Sequence, residues 1–302
     1  MKILEHKFCI VCNSEKFSLE MNAKDFSVTK EEFAIYRCSK CRFVFTRNAP
    51  LETDIGKYYQ SENYISHSDT KKGVVNKLYH LVRKIMLSRK YQLIKNLHTD
   101  KEILDIGCGT GYFLDYMKNK QYKTLGIEAD KQAREYGKEK FHLEILTNED
   151  LINGAVKPEF SIISLWHVLE HLYKPEYYMH IIHGLLKNDG YLIIALPNLN
   201  CFDARYYKSY WAGYDVPRHL WHFSPETIEI FARNNGFEII EMKRLLFDSF
   251  YNSILSEEYR SNKLSIFSGG ITGLISMVKS LFNIRNSSSI IYIMKKTASN
   301  TV

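Results

Sequence analysis

Four of the six cysteines stand in two matched pairs, Cys9-Ile10-Val11-Cys12 and Cys38-Ser39-Lys40-Cys41. Two intervening residues let both thiolates of a pair reach one ion, and two such knuckles can close a tetrahedral zinc site with no open position. The expected metal ligands are therefore Cys9, Cys12, Cys38 and Cys41, in a structural role. A second cluster is Asp105-Ile106-Gly107-Cys108-Gly109-Thr110-Gly111, whose glycines at alternate positions let backbone approach a ligand closely. Alone it signals only a nucleotide-type ligand, because dinucleotide folds use a related loop. Two additions sharpen it. Glu128, closing the next strand, can accept both hydroxyls of a ribose. Asp150, in Asn148-Glu149-Asp150 after the third strand, can meet an adenine amine.

His167 and His171 lie four apart and could share a helix face with Glu170, or hold a metal. The metalloprotease order, with Glu directly after the first His, is absent. An orienting or structural role is the expectation.

These groups need a scaffold. The 302 residues suffice for one sizeable α/β domain and a small module. The first 50 residues carry the cysteines and an intervening stretch (Phe17, Phe26, Val28, Phe33, Ile35) that suits a short hairpin. Such a module has too little core to hold itself without a metal staple. Residues 51–98 hold a Tyr-rich linker (Tyr58, Tyr59, Tyr64) and an amphipathic helix with Val74, Leu78, Leu81, Val82 and Ile85 on one face. Basic residues fill its other face: Lys71, Lys72, Lys77, Arg83, Lys84, Arg89, Lys90 and Lys95. They supply much of the +7 net charge and read as a solvated face or a phosphate-contacting one.

From residue 99 strands and helices alternate. Strands are expected at 102–106, 124–127, 142–146, 160–165, 191–196, 237–246 and 289–294. Helices are expected at 111–117, 131–138, 176–186 and 225–234, the last capped by Ser224 with Pro225 at its first position. This alternation predicts a mostly parallel sheet covered on both faces, with ligands beyond the carboxyl ends of the strands. The predicted domain covers 99–248 with 286–296, interrupted at 249–285 by an apolar insertion. That insertion reads as a lid or as an interfacial helix reaching a lipid-linked substrate.

Residues 100–247 resemble the class I S-adenosylmethionine (SAM) dependent methyltransferases. The resemblance rests on the glycine loop, Glu128 and Trp166-His167-Val168-Leu169-Glu170-His171-Leu172. This last segment is similar to the Leu-Glu-His signature of small-molecule methyltransferases, including those of ubiquinone synthesis. It implies a Rossmann-like seven-stranded sheet with the last strand antiparallel. It also implies SAM as cofactor, held by Asp105 near the methionine end, Gly107, Gly109, Gly111, Glu128 at the ribose, Asp150 and Trp166. The paired cysteines and Arg218-His219-Leu220-Trp221-His222-Phe223-Ser224 are similar to a smaller group, bacterial methyltransferases with an N-terminal zinc domain, among them deoxysugar C-methyltransferases. That group has a Glu-His pair before a Tyr-Phe-Ser run, with the His as base. The resemblance implies His219 as base here, while Arg218 stands where the acid would. An Arg at that point suggests an anionic acceptor. Tyr64, His167, Arg218 and His222 are the expected substrate contacts.

The function expected is methylation of a small molecule: a glycan, sugar-nucleotide or lipid-linked intermediate. A nucleic-acid methyltransferase is disfavoured, since no Asn/Asp-Pro-Pro-aromatic signature follows strand four. A non-catalytic SAM-binding scaffold is the third reading. The polar N-terminus and the lack of an uninterrupted apolar run of bilayer length predict a cytoplasmic protein, with peripheral membrane contact through 260–285 if the insertion meets lipid.

Overall fold

The computed structural model describes residues 3–297 other than 5, 61–73, 158 and 246, and no side chains over 74–79. Tyr64, Lys71 and Lys72 lie outside the described residues, as does the side chain of Lys77. The chain divides into two compact units, one of Glu62–Trp166 and Tyr178–Ile193, the other of Met1–Ser61, His167–Tyr177 and Ile194–Val302.

In the first unit β4 (Glu102–Ile106) pairs in parallel with β5 (Lys123–Ile127) and β7 (Phe160–Trp166), and β5 with the short β6 (Ile145–Leu146). The interiors of β4 and β7 are buried without alternation, as parallel strands covered on both faces require. Helix α1 (Val74–Ile94) precedes these strands, α2 (Tyr112–Lys118), α3 (Lys131–Phe141) and α4 (Asn148–Ile152) lie between them, and α5 (Pro175–Leu185) follows β7. β6 is shorter than expected because His142 takes a left-handed φ of 52° to close α3. β8 (Leu186–Pro197) begins five residues before the expected strand. The added residues extend the sheet, with Lys187 tied to Asp100 and Glu102 at 2.8 Å each.

β8 runs from one unit into the other, where β11 (Ser289–Lys296) and β10 (Phe237–Arg244) pair antiparallel. The full order is β10-β11-β8-β7-β4-β5-β6, a seven-stranded class I methyltransferase sheet. Between β8 and β10 come α6 (Phe202–Tyr207) and α7 (Pro225–Asn234), the latter with the expected Ser224 cap, a capping box with Thr227 and Pro225 in its first turn. Gly236, with φ 79°, turns the chain into β10.

A second sheet joins β1 (Phe17–Lys24), β2 (Glu32–Cys38) and β3 (Val44–Arg47) to β9 (Trp221–His222), all antiparallel. The hairpin expected between the cysteine pairs is present. Its sheet is not confined to the first 50 residues, since the fourth strand comes from residues 221–222. Beneath it Ala23, Phe33, Ile35 and Val44 share one core with Tyr58, Tyr207, Trp211 and Tyr214.

The insertion folds as two helices, α8 (Asp248–Tyr259) and α9 (Ser265–Phe282). By length and composition α9 could cross a membrane, although it holds no uninterrupted apolar run of bilayer length. Uninterrupted apolar runs missed it because Gly, Ser and Thr punctuate the helix.

Candidate active site

At the glycine loop, Gly107, Gly109 and Gly111 all adopt positive φ (71°, 55° and 83°), which explains their alternate spacing. They serve two purposes. At Gly111 the φ of 83° favours glycine, and a Cβ would also displace the end of the Leu143 side chain, 2.6 Å away; a Cβ on Gly109 would meet nothing within 4 Å, so the loop is open there to a ligand. Glu128 is set by two backbone donors, Gly109 N–H to Oε2 at 2.7 Å and Asp130 N–H to Oε1 at 2.9 Å. Its carboxylate is thereby fixed at the end of β5 beside the loop.

Asp105 is 2% exposed and accepts from Ser164 Oγ at 2.5 Å. Burial pushes its carboxyl up to about 7, against the pull of Lys90 and Ser164 and with a further push from Glu128. Trp166 stands edge-on to Phe113, with Lys90 Nζ 4.0 Å from its ring centroid. Its Nε1 is buried and has no hydrogen-bond partner among the described residues. An orphaned indole donor, an open glycine and an oriented carboxylate fit a polar nucleoside ligand such as SAM. Asp150 is engaged within its own helix. Its Oδ2 accepts from both the backbone N–H and the hydroxyl of Thr147, closing a capping box on α4. That carboxylate caps a helix.

The other titratable cluster lies in the second unit. The chain passes directly from Trp166 to His167, a non-glycine residue with φ 57°. His167 sits between two carboxylates, Nδ1 3.4 Å from Glu170 Oε1 and Nε2 3.1 Å from Asp248 Oδ2. Burial opposes its charge, but Asp248 and Glu170 outweigh that and raise it to about 10, so it is an imidazolium at neutral pH. Glu170 is 1% exposed. Burial pushes it up, yet His167, His219 and His171 hold it below the usual carboxylate range.

His219 is buried, its Nδ1 2.9 Å from Gly213 O. A carbonyl can only accept, so Nδ1 carries a proton and Nε2 is the ring's free position. Nε2 lies 4.0 Å from both Glu170 Oε1 and Asp215 Oδ2. His171 packs edge-on to His219, at 4.6 Å between centroids, with Nδ1 3.1 Å from Arg218 O and 3.2 Å from Tyr59 Oη. Burial, then His219, lowers it to about 4, so it is neutral. Glu170, His171 and His219 bring ligand atoms within 4.8 Å of one another, a spacing a cation could use. The positive partner of Glu170 here is already His167.

Two expected substrate contacts have other uses. Arg218 is 2% exposed and donates to Asp215 (2.6 and 2.9 Å), to Asp25 (3.1 Å) and to Tyr58 O (2.7 Å). It links the hairpin carrying Asp25 to the loop carrying His219, a structural use. His222 is buried, with Nε2 2.9 Å from Thr46 Oγ1, and burial followed by His219 lowers it to about 3. It is a neutral member of the β3–β9 junction. The acid missing beside His219 in sequence is supplied in space by Glu170 and Asp215. Asp215, four residues before His219, was readable as a helical-type neighbour; Asp248 and Asp25 carried no such signal.

The four knuckle cysteines bring all their sulfurs within 4.8 Å of one another, with Cys9–Cys41 at 3.6 Å and Cys12–Cys38 at 3.5 Å. Sulfurs on 2.3 Å bonds to one tetrahedral zinc stand about 3.8 Å apart. Each knuckle ends on a left-handed residue, Asn13 (φ 57°) or Arg42 (φ 66°), which turns the second thiol back toward the first. The donor set fits structural zinc.

Residues 79–242 match the family described as "Methyltransferase domain". Over 129 residues the chain is 26% identical to the mitochondrial ubiquinone biosynthesis O-methyltransferase of Schizosaccharomyces pombe, covering 40% of this chain and 47% of that one. Over 163 residues it is 23% identical to the ubiquinone biosynthesis O-methyltransferase of an Azoarcus species, covering 49% and 69%. The chain thus spans about half the length of the first relative. The crystal structure of magnesium protoporphyrin IX methyltransferase from Synechocystis with bound SAH covers 82% of this chain and all of its own, with a TM-score of 0.52 and 13% identity, a likeness of fold. With more than half of its length inside that family, and with the class I fold, the chain belongs to the methyltransferase-domain family.

Proposed function

We propose that the protein methylates a hydroxyl of a small acceptor, a glycan, sugar-nucleotide or lipid-linked intermediate, with His219 as general base. The carrying observation is the lock on His219. Its Nδ1 is held by Gly213 O, and Nε2 is turned toward two carboxylates that stabilise a positive ring. The O-methyltransferase relatives support oxygen as the atom methylated. When bound, SAM supplies an electrophilic methyl on a sulfonium leaving group. His219 Nε2 would take the acceptor's hydroxyl proton as the acceptor oxygen gains the methyl that bound SAM would supply. Glu170 and Asp215 share the charge that appears on the ring. Asp105, Gly107, Gly109, Gly111, Glu128 and Trp166 hold the cofactor in this reading. Its adenine meets the first turn of α4 through Asp150, whose Oδ2 is engaged by Thr147 and whose Oδ1 is left to accept from the amine. Tyr64 and His167 remain acceptor-side candidates. Six free cysteines suit a thiol-reducing compartment such as the cytoplasm.

The test measures methyl transfer from labelled SAM into metabolite and glycan fractions of cells lacking the gene, alongside SAM affinity. His219→Gln should keep SAM affinity and lose about 100-fold to 10,000-fold in rate. Near-normal turnover by that variant would remove His219 as base. SAM binding with no transfer by the wild type into any fraction would favour a scaffold.

A further inference from the structure

Helix α9 buries its small polar residues and exposes its large apolar ones. Gly269, Thr272, Gly273, Ser276 and Ser280 face inward. Outward stand Ile266 (75% exposed), Phe267 (69%), Ile271, Leu274, Leu281 and Phe282 (87%). The inner face is tightly joined. A Cβ on Gly269 would come 2.5 Å from Ile254 Cα, and one on Gly273 2.8 Å from Phe250 Cα, so α8 and α9 touch backbone to backbone. α8 meets this face with the backbone of Ser249 and with Phe250 and Ile254. Ser276 Oγ donates to the buried Asp203 at 2.6 Å, which fixes the helix with its apolar side out. Joining helices through small residues is the packing used where the surroundings are themselves apolar. In water, a contiguous outward face of this kind marks an interaction site.

The charges around the face indicate what covers it. From Arg260 to Arg285 the chain carries four cations, Arg260, Lys263, Lys279 and Arg285, and no acid. Arg285 is paired with Glu226 and Glu229, while Lys263 and Lys279 are exposed at the two ends of α9. A second copy docked face to face on a two-fold axis would bring like charges together. An anionic lipid surface complements both the charge and the apolarity. The 18-residue helix is about 27 Å long. Its partner α8 carries Asp248, Glu257 and Glu258, which suits a helix lying in the interface plane and not one crossing it.

We propose that the outer face of α9 seats the enzyme on a membrane surface rich in anionic phospholipid. This holds whichever acceptor is methylated. The test is flotation of the full chain with vesicles of phosphatidylcholine, alone or mixed with phosphatidylglycerol, at low and high salt. The wild type should float with the mixed vesicles and lose most of that binding in high salt. The triple variant I266S/F267S/I271S should lose at least about tenfold in partitioning. K263E/K279E should lose the preference for phosphatidylglycerol. Circular dichroism melting and SAM affinity check that both variants fold. A single Phe267→Trp variant gives an independent reading, with its added emission shifting to the blue and being quenched by brominated lipid. Absence of flotation, equal flotation by the triple variant, or an unshifted emission from the Phe267→Trp variant would each overturn the proposal. So would a dimer in sedimentation equilibrium that the triple variant dissolves while vesicles stay unbound.

Discussion

Asp105, beside the glycine loop, and Glu170, in the Leu-Glu-His segment, are both almost fully buried, yet burial has opposite outcomes at the two sites. Asp105 has a hydroxyl as its nearest partner and is pushed up to about 7. Glu170 has three imidazoles around it, one of them charged, and stays below the ordinary carboxylate range. Desolvation sets a carboxyl's default, and a charged neighbour reverses it. The same contrast separates their work. Asp105 is poised to take on charge when a cation arrives, whereas Glu170 carries its charge permanently and lends it to the ring of His219.

The largest effect is expected at Glu170. Glu170→Gln strips the partly exposed His167 imidazolium of one counter-charge and puts an amide in a buried site, and should cost about 1 to 3 kcal/mol of unfolding free energy, read by urea denaturation, together with a large fall in rate. A variant as stable as the wild type would mean that Glu170 is not ionised. The next effect is at Asp105. Its carboxyl, raised from 3.8 to about 7, contributes stability that is present below pH 3.8 and lost as pH rises through 7. The cationic ammonium of SAM should restore that loss by favouring the ionised form. SAM affinity measured by calorimetry should therefore rise by up to about tenfold per pH unit below pH 7 and level off above it. Asp105→Asn should flatten the profile; a flat wild-type profile would show that the acid is ionised throughout. The smallest effect is at His167. Its value is raised from 6.5 to about 10, so its contribution is complete below pH 6.5 and lost as pH climbs through 10. Asp248→Asn should make the fall in melting temperature over that window shallower than in the wild type. Parallel curves would mean that Asp248 does not hold the proton.

The cofactor side was legible in sequence because its signals are local. Alternating glycines, an acid at the next strand end and a capped helix each sit within a few residues of what they act on. Asp150 also closes a capping box, a use of a polar residue at the third position of a helix that position in the sequence alone does not reveal. The acceptor side was half legible. His219 stood out, but its carboxylate partners come from residues 170 and 215, and the second partner of His167 from residue 248. The partners of Arg218 were not legible, because an exposed guanidinium and one bonded to Asp25 and Asp215 look identical in a string of letters. Only the fold decides which carboxylates meet which cations.

The pairing of β3 with β9 has a consequence for how the protein is made. Thr46 and His222 are 176 residues apart, yet they close one sheet. At ordinary translation speeds the knuckle hairpin leaves the ribosome roughly ten to thirty seconds before its last strand exists. During that interval the edge of β3 is an open template on which a neighbouring chain can add a strand, so the yield of native enzyme should fall as nascent chains become more crowded.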